Sequence, residues 1–103
     1  MTQIERITEM EKRLNRCTAA VAALNAALTK YQASLGDMRK LGDYLIGKNW
    51  IRDFEADEAG LLPADLPRGV LTEDGIYDLL VDDRDVQIAL SKTLTAVIRS
   101  GLL

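Results

Sequence analysis

Asp53, Glu55, Asp57 and Glu58 stand close together just ahead of Pro63 and Pro67. Carboxylates at such spacing are the residue type for binding a hard cation or for moving a proton. The relevant comparison is a calcium loop, which needs a glycine at its sixth position and a glutamate at its twelfth. Counted from Asp53, residues Glu55 and Asp57 fall on ligand positions, but Glu58 stands where glycine is required and Ala64 where glutamate is required. On a helix these side chains also spread around the axis. The expectation is therefore a solvated acidic face near a helix end, with no metal bound. A carboxylate-dependent metal enzyme is a third-ranked alternative.

Other chemistry has less to work with. The chain contains no histidine, which removes the commonest general base and metal ligand. The single cysteine, Cys17, allows no intrachain disulfide and no thiolate zinc cage. It is expected to be a buried thiol on an apolar seam. Phosphate-cradling glycine patterns are missing. No catalytic residue and no cofactor is assigned, and the chain is read as not being an enzyme. Arg68, beside Gly69, is expected to bridge acids of the 53–58 run and lock the loop, in preference to docking on another protein. Trp50 and Phe54 are expected to form a small core under that loop rather than a stacking platform for a ligand. Asp57, Glu58, Arg68, Trp50 and Phe54 are thus the candidates for loop locking or partner recognition.

These groups must be positioned by helices. Apolar content of 48% with 28% charged residues is ordinary for a soluble globular chain, and aromatics are only 5%. Ala and Leu dominate the apolar set and enter helices at little cost. The formal net charge of −3 argues against nucleic acid and against anionic membrane surfaces. Glu5, Arg6 and Glu9 interrupt any signal-like apolar run, so a cytoplasmic location is expected.

The N-terminal half carries a heptad. One series is Ile7, Leu14, Val21, Leu28 and Leu35, and the other is Met10, Cys17, Leu24, Tyr31, Met38 and Leu45. Thr2 and Glu5 fit a capping box in front of it. The heptad phase survives Gly36, which predicts one helix over about 3–46, about 65 Å long, with Gly47 just past its end. Ala19, Ala20, Ala22, Ala23, Ala26 and Ala27 allow close approach of another backbone.

Asn49 is expected to cap a short helix over about 49–58, closed by Gly60. An ordered loop follows over about 59–71. Thr72 is expected to cap the last helix, about 73–100, with Leu71 and Ile76 forming a hydrophobic staple. Ile76, Leu79, Leu80, Val86, Leu90, Leu94 and Val97 make a core-facing stripe on it.

The predicted architecture is a single all-α domain over 1–103. The long heptad-bearing N-terminal helix packs antiparallel on a C-terminal helix, with a short middle helix and a proline-containing ordered loop between them. The first helix outruns the last, which spans about 40 Å, so part of the seam is left in water. Pairing of surplus seams through Ile7, Leu14, Val21, Leu28 and Leu35 predicts a homodimer.

The segment WIRDFEADEAGLLPADLPRGVLTEDGIYDLL, from Trp50 to Leu80, resembles the most recognisable part of an uncharacterised family of short bacterial proteins, a catalogued domain of unknown function. Members also open with a heptad-rich segment like RITEMEKRLN, so the resemblance covers nearly the whole chain. YLIGKNW departs from it, because a more polar turn is usual there. The resemblance implies a bacterial, intracellular origin and supplies no catalytic residues. The function expected is a helical interaction or structural module that self-associates and can engage an unidentified protein partner. The alternative is a small acidic accessory or inhibitory protein that binds a basic partner.

Overall fold

A computed structural model describes residues 1–101. Its helices are α1 (Gln3–Ile46), α2 (Lys48–Glu58) and α3 (Gly75–Ser100), with a 3-10 turn at Gly69–Leu71 between the last two. There is no strand among the described residues.

The start of α1 follows its capping signal. The Thr2 hydroxyl accepts the Glu5 amide at 3.1 Å, and the Thr2 carbonyl accepts the Arg6 amide at 3.0 Å. These contacts satisfy amides that a helix N-terminus leaves without intrahelical partners. The helix then runs through Gly36 and Gly42 without a break.

At Gly47 the chain leaves α1 in extended backbone, φ −85° and ψ 173°. Gly47 is therefore not a left-handed C-terminal residue. It is itself the N-cap of α2, so the expected cap at Asn49 is corrected: α2 starts at Lys48 and no side chain caps it. The turn is held instead by the Gly47 amide donating to the Tyr44 carbonyl at 3.1 Å.

The end of α2 is a Schellman motif. The Leu61 amide donates to the Ala56 carbonyl and the Gly60 amide to the Asp57 carbonyl, both at 3.0 Å. Gly60 sits at φ +71°, the left-handed region that an L side chain avoids.

Thr72 is not the cap of α3. Its hydroxyl donates to the Gly69 carbonyl at 2.7 Å, and Asp74 occupies the N-cap position without a side-chain cap bond. The hydroxyl is captured by the 3-10 turn, so α3 begins at Gly75. A Cβ at Gly75 would fall 2.5 Å from both the Gly69 carbonyl oxygen and Thr72 Oγ1, a spacing only glycine allows.

The chain packs as two units, Met1–Gly36 and Asp37–Leu103. The core lies in the second. Leu71 and Ile76, the expected staple pair, are the buried hydrophobic residues, at 6% and 4% exposure. Leu41, Leu45, Trp50, Phe54, Leu62 and Leu80 of the same unit are half-buried. The 3-10 turn packs against both α2 and α3. The last turns of α1 reach α3 near Gly42, where a Cβ would stand 3.9 Å from Leu80 Cδ1.

The stripe on α3 is core-facing only at its start. Val86, Leu90, Leu94 and Val97 are exposed, as is Leu79. The 3-10 turn is short and packs at the beginning of α3, so nothing in it covers the later turns.

In the first unit, Ile7, Leu14, Val21 and Leu35 are exposed, from 46% at Leu35 to 68% at Val21, while Leu28 is half-buried. Cys17 is exposed, which corrects the expectation of a buried thiol. The heptad seam is apolar by sequence, yet most of it stands in solvent.

Candidate functional site

The corner between α2 and α3 is built from both sides. Trp50 and Phe54 are one helical turn apart on α2 and share a face. Their rings stack, with centroids 5.2 Å apart and planes 15° from parallel. The indole Nε1–H of Trp50 then donates to the Val70 carbonyl at 2.8 Å. An aromatic pair on the helix thereby holds the 3-10 turn.

Arg68 holds the loop from within. Nη1 pairs with Asp57 Oδ1, Nη2 donates to the Pro63 carbonyl, and Nε donates to the Leu66 carbonyl at 3.2 Å. The planar guanidinium suits such a divergent set of acceptors, which a lysine could not match. The ion pair is partly shielded, with side-chain exposures of 29% for Arg68 and 22% for Asp57. All three guanidinium nitrogens are engaged inside the corner.

Asp53, one turn before Asp57, takes a different partner. Its Oδ2 accepts the Tyr44 hydroxyl at 2.6 Å, joining the end of α1 to α2. That hydrogen bond, followed by burial and the Asp53 charge, pushes the Tyr44 phenol up to about 12. Tyr44 was not among the sequence candidates. No periodic signal marks it, because the contact spans the break at Gly47.

The acidic run is therefore divided. Asp53 goes to Tyr44 and Asp57 to Arg68, while Glu55 and Glu58 are exposed to solvent. Glu58 takes no part in the Arg68 pair. No group of three or more potential ligand side chains that could hold a metal ion occurs among the described residues. What the corner can do chemically is fix the path from α2 into α3 and display two carboxylates outward.

The seam candidates lie apart from this corner in sequence. Ile7, Leu14, Val21, Leu28 and Leu35 all belong to α1 and lie in the first unit. Beside the first of them an open hollow is lined by Arg6, Ile7, Met10, Glu11 and Leu14. No helix among the described residues is long and apolar enough to cross a membrane.

An all-α protein with an exposed heptad helix and a locked inter-helix corner is the class these features define. The chain belongs to the family described as Domain of unknown function (DUF4298), whose model matches residues 7–92 and so takes in the whole seam and the whole corner. Among curated proteins and among solved structures, none matches this chain.

Proposed function

We propose that this protein is a non-enzymatic helical interaction module that works by pairing the apolar seam of α1 with another chain, and that the partner is a second copy. One observation carries this reading. The seam from Ile7 to Leu35 is largely exposed, whereas the buried hydrophobic residues are Leu71 and Ile76.

Burying one Leu- or Val-sized side chain contributes about 2 kcal/mol. The exposed seam therefore leaves several Leu- or Val-sized side chains whose burial against another chain would add stability. Small chains with little core gain stability by oligomerising. A heptad pairs naturally with another heptad, because both present the same narrow stripe along their length. The corner at Asp57 and Arg68 acts in this reading as a scaffold that fixes the chain path.

Sedimentation equilibrium across micromolar concentrations tests the proposal. A species of twice 11.4 kDa is expected. Replacing Leu14 and Val21 together with glutamate should return it to a single chain without altering the Trp50 fluorescence of the corner. A wild-type mass of one chain at every concentration would remove the basis for self-association.

A further inference from the structure

We infer that two copies pair through α1 in parallel and in register, so that each seam residue meets its own counterpart. The inference rests on the self-association proposed above and adds its orientation, which follows from the charges flanking the seam.

Arg6 and Arg13 precede seam residues Ile7 and Leu14, and both lie on one flank. Glu11 follows Met10 and lies on the other. In a parallel coiled coil the two flanks face each other across the interface, with a first-flank residue opposite the second-flank residue five positions further along the partner. Arg6 then meets Glu11 of the second copy, and the two-fold axis repeats the pair. Arg13 meets Thr18, so no like charges are opposed.

In antiparallel pairing each flank meets its own kind. Arg6 and Arg13 then share a side with Ala20, Ala27 and Ser34, and Glu11 shares the other with Thr18, Asn25 and Gln32. Within the first unit, up to Gly36, that arrangement offers no pair of opposite charges; the next cation on the Glu11 flank, Arg39, lies in the second unit beside the half-buried Met38.

The hollow on α1 fits knobs-into-holes packing in either orientation. Ile7, Met10, Glu11 and Leu14 line it. In parallel packing, four residues so placed form the hole that receives the knob at the level of Met10. Met10 of the second copy is that knob, and Met10 is 54% exposed in the single chain.

Cys17 supplies a reporter already in the chain. It lies on the seam and is exposed. In register and in parallel, the two Cys17 residues face each other within disulfide reach. In antiparallel packing the two series of the seam face each other, so no residue of the Cys17 series meets its own copy.

The experiment uses the whole chain, first reduced and weighed by sedimentation equilibrium, then treated with oxidised glutathione. The oxidant accepts the two electrons released when two thiols join. A covalent dimer reversed by dithiothreitol and lost in Cys17→Ser is expected. A second reporter, Leu24→Cys in the Cys17→Ser background, should cross-link in the same way.

Glu11→Arg should weaken the dimer about tenfold by turning two attractive pairs into repulsive ones, and Arg6→Glu combined with Glu11→Arg should restore it. A double-mass species in which neither reporter cross-links overturns the parallel orientation and leaves self-association standing. A single-chain mass overturns both.

Discussion

The indole of Trp50 on α2 donates to the backbone carbonyl of Val70 in the 3-10 turn, at 2.8 Å across twenty residues of sequence. This contact connects the short helix to the turn that carries Leu71, one of the buried side chains. Trp50→Phe keeps a ring to stack on Phe54 and removes only the N–H. It should cost about 1 kcal/mol, read by urea denaturation. No loss of stability would mean that ring packing alone holds the turn.

Arg68 and Asp57 should show coupling in a double-mutant cycle. Asp57→Asn and Arg68→Met each lose the ion pair, and the coupling between them is expected near 0.5–1 kcal/mol, about that of a partly exposed pair. Arg68→Lys should recover little of it, because an ammonium cannot reach Asp57, Pro63 and Leu66 together. Full rescue by lysine would show that charge suffices and the fork does not matter.

Two glycines predict opposite outcomes. Gly75→Ala places a methyl 2.5 Å from the Gly69 carbonyl oxygen and should destabilise by about 1–3 kcal/mol. Gly36→Ala meets nothing within 4 Å inside a helix and should stabilise by about 0.5–1 kcal/mol. Thermal melts of the two variants beside the wild type check both signs.

The Tyr44–Asp53 bond makes stability depend on alkaline pH. The folded phenol is raised from 10.0 to about 12, so the protonated donor is the form the fold favours. Its contribution is complete below pH 10 and is lost as pH rises towards 12. Wild type should therefore lose its advantage over Tyr44→Phe across that window. A constant difference between the two, followed by melting temperature, would contradict the assignment.

Local physics was legible in the chain itself. The heptad, the Thr2 cap, the continuation through Gly36, the Gly60 stop and the Leu71–Ile76 pair all act over one or two helical turns, where periodicity and side-chain type decide the outcome. The caps at Asn49 and Thr72 were misplaced for a definable reason. Gly47 turned the chain in extended backbone two residues earlier, and the Gly69 carbonyl captured the Thr72 hydroxyl before it could cap α3.

The sequence by itself determined that this protein is helical, where its helices run and which stripes on them are apolar. Only the tertiary structure decided which stripes are covered, that Tyr44 finds Asp53, and that Trp50 reaches Val70. Those contacts join residues nine and twenty positions apart, across a helix break and a loop whose direction no local periodicity encodes. An apolar stripe records only that burial is favourable. Whether it is buried depends on which element arrives beside it: the 3-10 turn reaches the start of α3, while Val86 to Val97 and most of the α1 seam remain exposed.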